Sequence, residues 1–148
     1  MDKLTDNNLK WASIVATILG GLDAAYLLIY KLTSAPAMCL GSGDCSTVNA
    51  SRYSEINGIP VALLGLLAYL AILGLHALET RSQFFKNNGN LLVFGLSLIG
   101  VLFSAYLTYV ELYVIHAVCP FCVASAILIT VIFILAIIRL IRQTIISQ

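Results

Sequence analysis

Long uncharged runs of apolar residues alternate with short polar segments and predict four membrane-spanning helices. Runs of about 18 or more apolar residues are long enough to cross a bilayer as an α-helix. The first run is interrupted by Asp23, and the third continues past Glu111. The predicted spans are residues 11–31, 59–78, 91–117 and 120–140. The pattern therefore predicts an all-α integral membrane protein, a four-helix bundle that residues 1–148 form as a single domain.

The longest polar stretch, residues 32–58, joins the first two spans. It is rich in Gly, Ser and Asn, which favour loops. Asp44 and Ser46 are suitable N-caps, so we predict a short half-helix over residues 46–53 inside an extended outer loop. Ten residues without a small-residue cleavage site precede the first span, which is therefore expected to be an uncleaved signal anchor.

Composition and charge agree with a membrane location and predict an orientation. The chain is 60% hydrophobic and 10% charged, whereas soluble domains are about 45–50% apolar and about 25% charged. The net charge of +1 argues against nucleic acid as a partner. Of the 8 Lys and Arg residues, only Lys31 and Arg52 fall on the side opposite the termini. Because basic residues favour the cytoplasmic side, both termini and the 79–90 loop are predicted to be cytoplasmic.

All four cysteines lie on the outward side in this topology. Cys39 and Cys45 lie in the outer loop, and Cys119 and Cys122 lie at the outer start of the fourth span. An outward pair of thiols can be held as a disulfide, whereas a cytoplasmic pair would be kept reduced. The topology was predicted without reference to cysteine, so this agreement points to thiol–disulfide chemistry.

Residues 119–122 form a C-x-x-C motif at a predicted helix N-terminus. The helix dipole and the free N–H groups there favour the thiolate of Cys119, which is the reactive form. A disulfide between residues so close in sequence closes almost no loop, so it is better suited to redox chemistry than to stabilising a fold. Two structural disulfides and a Cys₄ zinc site are the alternatives.

The order and spacing of these residues resemble the vitamin K epoxide reductase family, in its bacterial disulfide-forming branch. The resemblance extends over nearly the whole chain. The matching segments are Cys39 with Cys45, Ser51-Arg52-Tyr53, Gly58-Ile59-Pro60, Gly65, Tyr69, Tyr106-Leu107, Tyr109-Val110-Glu111 and Cys119-Pro120-Phe121-Cys122. The DsbB type of quinone-linked oxidase has a similar number of spans and cysteines, but there the C-x-x-C motif comes first. Here the more widely spaced pair comes first.

The resemblance implies an oxidoreductase of the bacterial inner membrane that reoxidises a periplasmic, DsbA-like thioredoxin-fold protein. Cys39 and Cys45 would receive the electrons, and Cys119 and Cys122 would pass them to ubiquinone, menaquinone or a related quinone in the lipid. Ser51 would order the half-helix near Cys45 or form a hydrogen bond near the quinone.

Two departures from the family pattern leave alternatives. Animal members that recycle vitamin K have a tyrosine four residues after the C-x-x-C motif, where this chain has Ala126. This departure argues against vitamin K quinone or epoxide reduction, which is the alternative activity. A non-enzymatic membrane protein with structural disulfides is another alternative. Many bacterial members carry a fused thioredoxin-like domain after the fourth span. This chain ends at Gln148, so the thioredoxin-fold partner is expected to be a separate protein.

Cys122, Asp23, Glu111 and Tyr109 are the candidates for the quinone site. A charge at Asp23 would cost about 2.5–3.5 kcal/mol in lipid, so it is predicted to face the bundle interior. There Asp23 would position a helix or move protons to the reduced quinone. Glu111 is expected to accept a proton or to anchor its helix.

Tyr106, Tyr109 and Tyr113 share one face of the third helix. This predicts either a wall on which a quinone stacks or an aromatic belt at the membrane interface. His116 precedes Cys119 by three residues and would stabilise a thiolate there. No histidine has a second ligand at metal-binding spacing, so no metal cofactor is expected.

Overall fold

A computed structural model describes residues 2–33 and 44–146 of the chain. In chain order, the helices are α1 (Asp2–Thr33), α2 (Asp44–Ala50), α3 (Val61–Leu78), α4 (Gln83–Val110) and α5 (Pro120–Ile146). All except α2 are long and apolar enough to cross a membrane. The predicted class, an all-α four-helix membrane bundle, is confirmed.

The helices extend beyond the predicted spans because hydropathy marks only the apolar part of a helix. Helix α1 begins nine residues before position 11, and α4 begins eight residues before position 91. At its other end α4 passes at Glu111–Ile115 into one turn of π-helix. The predicted half-helix is also present, as α2 followed by a 3₁₀ turn at Arg52–Ser54.

The segment that leads into α3 is a small hairpin, which the sequence interpretation missed. Strand β1 (Glu55–Ile56) pairs antiparallel with β2 (Ile59–Pro60). Asn57 and Gly58, which connect the strands, both have positive φ, 52° and 83°. Asn-Gly is a preferred pair for such a type I′ turn, so the dipeptide was the available signal. Residues 59 and 60 are therefore strand rather than the start of the second span.

The core lies where α1 and α4 pack against α3 and α5. Tyr69 of α3 is seated in it, with its ring against the backbone of Gly20 in α1. A Cβ atom at Gly20 would lie 2.3 Å from the ring carbon Cζ, so only glycine permits this approach. The Tyr69 hydroxyl donates a hydrogen bond of 3.0 Å to the carbonyl of Ser125 in α5. This one side chain therefore connects three of the four long helices.

The two ends of the bundle differ in chemistry. One end holds the described cysteines, and the other holds a group of charged side chains that we call the basal cluster: Asp6, Lys10, His76, Glu79 and Arg139. The Glu79 carboxylate lies 3.0 Å from Lys10 Nζ and 3.6 Å from Arg139 Nη1. Arg139 Nε in turn lies 3.2 Å from Asp6 Oδ1.

Glu79 is the centre of the basal cluster and is only 8% exposed. Burial by itself would raise the pKa of Glu79, but the facing His76, Arg139 and Lys10 outweigh burial and lower this pKa to about 2. Glu79 is therefore ionised at neutral pH. It holds α3 to the basic side chains of α1 and α5.

Candidate redox site

The sulfur atoms of Cys45 and Cys119 lie together in the core of the cysteine end. Both residues are 1% exposed, and their Sγ atoms are 3.2 Å apart although 74 positions separate them in sequence. Cys45 is disulfide-bonded, whereas Cys119 and Cys122 are free thiols. Cys39 lies outside the described residues. Reacting atoms at about 3–3.5 Å are in a near-attack arrangement, so a thiol–disulfide exchange between Cys45 and Cys119 requires little movement.

The N-terminus of α5 positions the C-x-x-C motif. Pro120 is the first residue of the helix, a position where its missing N–H costs nothing. Cys119 precedes Pro120, and the Cys119 carbonyl accepts a hydrogen bond from the N–H of Val123 at 3.1 Å. The pKa of the Cys119 thiol lies below its ordinary value, chiefly because the Cys122 thiol donates a hydrogen bond to it. Burial opposes this effect, and the backbone N–H groups of the first turn reinforce it.

The turn of π-helix at the end of α4 brings Glu111 to the same place. Glu111 is 4% exposed, and its Oε2 accepts the backbone N–H of Cys119 at 3.3 Å. His116 follows with a φ of 57°, the left-handed conformation that turns the chain back towards α5. Single π-turns inside helices frequently occur at functional sites, since the extra residue redirects a side chain.

Lys31, at the end of α1, fixes the segment that carries Cys45. Its ammonium group donates to the Asn49 carbonyl at 2.6 Å and to Ser54 Oγ at 2.5 Å, and it pairs with Glu55 at 3.1 Å. Ser51 Oγ donates to the carbonyl of Val48 at 2.6 Å and so secures the end of α2. The two predicted roles of Ser51, ordering the half-helix and forming a hydrogen bond near a quinone, stay predictions.

A cavity of about 370 Å³ opens beside the sulfur atoms. Cys45, Cys119 and Cys122 all line it, and its other walls are mostly apolar side chains of α3 and α4. Leu64 and Ile99 line the cavity and are also 37% and 66% exposed, so the cavity reaches the lipid-facing surface between these helices. Its volume lies in the range of about 300–1,000 Å³ that is usual for ligand sites.

The structure brings some of the predicted site residues together and leaves others apart. Cys122, Glu111 and Ser51 line the cavity, whereas Asp23 and Tyr109 do not. Asp23 lies in α1 near Tyr69, and its buried Oδ2 has no hydrogen-bond partner in the described part of the chain. Tyr109 is 58% exposed and stacks on Tyr113 with ring centroids 4.9 Å apart. The quinone roles of Asp23 and Tyr109 stay predictions.

The sequence also predicted a role for His116 and no metal site. His116 is exposed, and its proposed effect on the Cys119 thiolate stays a prediction. Within residues 2–33 and 44–146, no three His, Cys, Asp or Glu side chains lie close enough to hold a metal ion.

Two contributors to the site were not identified from the sequence. In the sequence, Lys31 stands out only as a charge that flanks a span, and no motif singles out Ser125. Lysines directly after an apolar span commonly extend their charged end towards water. The position of Lys31 therefore does not indicate a specific hydrogen-bond partner. Ser125 follows Cys122 by three residues and therefore shares its helix face, which was a usable signal.

Loss of the Cys122 thiol is expected to raise the pKa of Cys119. The hydrogen bond from Cys122 is the largest cause that lowers this pKa below 9.0, and alanine cannot donate one. In a Cys122→Ala variant, the thiolate absorbance of Cys119 near 240 nm should therefore appear at higher pH than in a Cys122→Ser variant, whose hydroxyl can donate. Coincident titrations of the two variants would show that the hydrogen bond is not the cause.

Comparison with known proteins identifies the family. A sequence model of the vitamin K epoxide reductase family matches residues 11–137. The thiol-disulfide oxidoreductase LTO1 of Arabidopsis thaliana is 33% identical over 113 residues, which cover 72% of this chain but only 30% of LTO1. The family match, residues 11–137, extends from α1 into α5 and includes the positions of all four cysteines. The chain is therefore a multi-pass membrane protein that belongs to the vitamin K epoxide reductase family.

Proposed function

We propose that the protein is a quinone-dependent thiol–disulfide oxidoreductase that reoxidises a thioredoxin-fold protein outside the cytoplasm. The observation that carries this proposal is the 3.2 Å approach of Cys45 to Cys119 beside a cavity open to lipid. A structural disulfide needs neither a free thiol in contact with it nor a neighbouring cavity. The name of LTO1, a thiol-disulfide oxidoreductase, supports the same class of reaction.

The proposed reaction begins with two thiol–disulfide exchanges. A partner thiolate attacks Cys39 of a Cys39–Cys45 disulfide, so that Cys45 leaves as a thiolate and a mixed disulfide forms. A second partner thiolate then releases Cys39, and the partner leaves with a disulfide. Cys45 attacks Cys119 of the oxidised C-x-x-C pair, and Cys122 leaves as a thiolate. Attack of Cys39 on Cys45 then restores the first disulfide and frees Cys119, so two electrons have moved to the C-x-x-C pair.

The redox state of the described cysteines matches the state that the proposed exchanges reach last. Cys45 is oxidised, and Cys119 and Cys122 are both thiols. This is the state expected immediately before the electrons leave the protein through Cys122. A lowered pKa makes Cys119 a better leaving group in the exchange with Cys45.

The cavity fits a quinone ring in several respects. It touches Cys122, and its walls are largely apolar, as a quinone ring requires. A bound quinone would accept two electrons and two protons. Phe103 and Leu107 would hold it from α4, while the opening between Leu64 and Ile99 would admit its apolar tail.

Glu111 is the residue to which we assign movement of the protons. It lies in the cavity wall, and its carboxylate interacts with both thiols of the C-x-x-C pair. We assign it the role of taking a proton from Cys122 as that thiol becomes a thiolate, and of releasing it into the cavity. Reoxidation of the pair frees two thiol protons, which equals the number that quinone reduction consumes.

We further propose that the cysteine end faces the periplasm of a bacterial cell. The basic residues near the basal cluster outnumber those at the cysteine end, which favours a cytoplasmic location for the basal cluster. The partner is then a DsbA-like protein, since such proteins receive their electrons from substrates outside the cytoplasm.

A trapping experiment tests the order of the exchanges. With oxidised partner protein, a Cys45→Ala variant should accumulate a mixed disulfide through Cys39, because Cys45 is no longer present to resolve it. Non-reducing gels would show the adduct, and a Cys39→Ala/Cys45→Ala variant is the matched control. If only a Cys119→Ala variant gives the adduct, while Cys45→Ala gives none, the proposed order is wrong.

A further inference from the structure

Asn49 carries a buried hydrogen-bond donor that the structure leaves unused. Its side chain lines the cavity, and its Nδ2 is buried with no hydrogen-bond partner among the residues that the structure describes. A buried donor without a partner costs about 1–3 kcal/mol. Such groups are rare unless a ligand or ion satisfies them.

The backbone of Asn49 is held so that the amide cannot easily leave the cavity. Its carbonyl accepts hydrogen bonds from Lys31 Nζ at 2.6 Å and from Ser54 Oγ at 2.7 Å. Asn49 also follows Cys45 by four residues on α2, so the two side chains share one helix face. The amide therefore lies one helical turn from the sulfur that exchanges with Cys119.

Three other polar groups of the cavity wall are already engaged. Ser51 Oγ donates to Val48, Ser54 Oγ donates to Asn49, and the Tyr69 hydroxyl donates to the carbonyl of Ser125. Among the buried donors that the structure describes without a partner, only Asn49 also lines the cavity. A ligand for this site should therefore be largely apolar, with an acceptor oxygen that Asn49 can reach.

We infer that the Asn49 side-chain amide donates a hydrogen bond to a ring carbonyl of the quinone. This inference rests on the proposed function and assigns a binding residue to it. The hydrogen bond orients the ring beside Cys122, and it strengthens as negative charge develops on the carbonyl oxygen. Asn49 therefore contributes to quinone affinity and to the rate of quinone reduction, but not to the exchange between Cys45 and Cys119.

The test compares Asn49→Leu and Asn49→Asp with a Thr47→Val control in the purified, full-length protein. Leucine removes the amide at similar volume, and aspartate keeps its shape but presents an acceptor. Thr47 lies on the exposed face of the same helix. Ubiquinone-1 and menadione serve as probes, with a reduced thioredoxin-fold protein as electron donor. We expect the KM for quinone to rise about tenfold in both Asn49 variants, the usual effect of losing one hydrogen bond.

A spectroscopic measurement separates binding from a general structural effect. With ¹³C-labelled quinone, infrared difference spectra should show one carbonyl stretch at lowered frequency in the wild type and in Thr47→Val. In Asn49→Leu this band should return to the frequency of a carbonyl without a hydrogen bond. Formation of the Cys45–Cys119 bridge, followed by thiol trapping, should be unchanged in all variants.

The outcomes distinguish the inference from the proposed function. If the wild type reduces neither quinone, the proposed function is wrong and the inference is wrong with it. If the wild type turns over and the Asn49 variants match it in KM and in carbonyl frequency, the inference alone is wrong. A raised KM without a change in carbonyl frequency would also overturn it, since the amide would then act only through packing.

Discussion

Replacement of Cys119 by serine is expected to leave the protein folded and to lower quinone-coupled oxidation of the partner by at least about a thousandfold. Serine is close to cysteine in size, but it cannot form the disulfide that the proposed electron route requires. The Cys45 sulfur, 3.2 Å away, would have no sulfur to attack. One equivalent of partner should still be oxidised by the Cys39–Cys45 disulfide, after which turnover should stop.

Stopped-flow measurement of partner oxidation would show this single burst without a steady state. Val118→Ser is the matched control, because it introduces the same side chain one residue earlier at an exposed position. Its turnover should stay close to that of the wild type. Sustained turnover by the Cys119→Ser variant would mean that electrons reach the quinone by another route.

Replacement of Glu79 by glutamine is expected to be the most destabilising of the substitutions considered. The amide keeps the shape of the side chain but removes the charge that faces Lys10 and Arg139. Loss of one partner from a buried ion pair costs about 3–5 kcal/mol, because the remaining charge is left without compensation. For a chain of this size we expect a fall of roughly 6–20 °C in the midpoint of thermal unfolding in detergent.

The pH dependence gives an independent check. Because the pKa of Glu79 is lowered from 4.5 to about 2, its charge stabilises the folded state fully above pH 4.5. This contribution is lost as the pH falls from 4.5 towards 2, and the Glu79→Gln variant should lack it. Glu55→Gln is the control, since Glu55 pairs with Lys31 but has a side chain 45% exposed. Such a pair contributes about 0–1 kcal/mol, and an equal effect of both substitutions would contradict the assigned role of the basal cluster.

Hydropathy predicted the number and order of the long helices because each span must be apolar whatever its neighbours are. It did not predict the first turns of α1 and α4, since these lie beyond the apolar runs. The hairpin at Asn57-Gly58 was missed for a different reason. The resemblance and the following apolar run both favoured an early helix start, although the dipeptide itself indicates a turn.

The candidate site was partly visible in the sequence. The C-x-x-C motif and its place at a helix N-terminus are local features, and spacing alone reveals them. The contacts of Glu111 with Cys119 and of Lys31 with Asn49 join segments that are distant or separated by a turn. Such contacts depend on how the helices pack, which no local pattern records. The unused donor of Asn49 is visible only when every neighbouring polar group has been assigned a partner.

The clamp formed by Lys31 has a consequence for how the protein responds to its bilayer. Lys31 attaches the segment that carries Cys45 to α1, whereas Cys119 directly precedes α5. The distance between the two sulfur atoms therefore depends on how far α1 is displaced along its axis relative to α5. A displacement of one residue along a helix is about 1.5 Å, a large fraction of the exchange distance. Helices adjust their tilt to the thickness of the hydrocarbon layer. Lipid chain length therefore becomes a variable of the sulfur chemistry, and a membrane that is too thin or too thick would separate the reacting atoms without altering any residue.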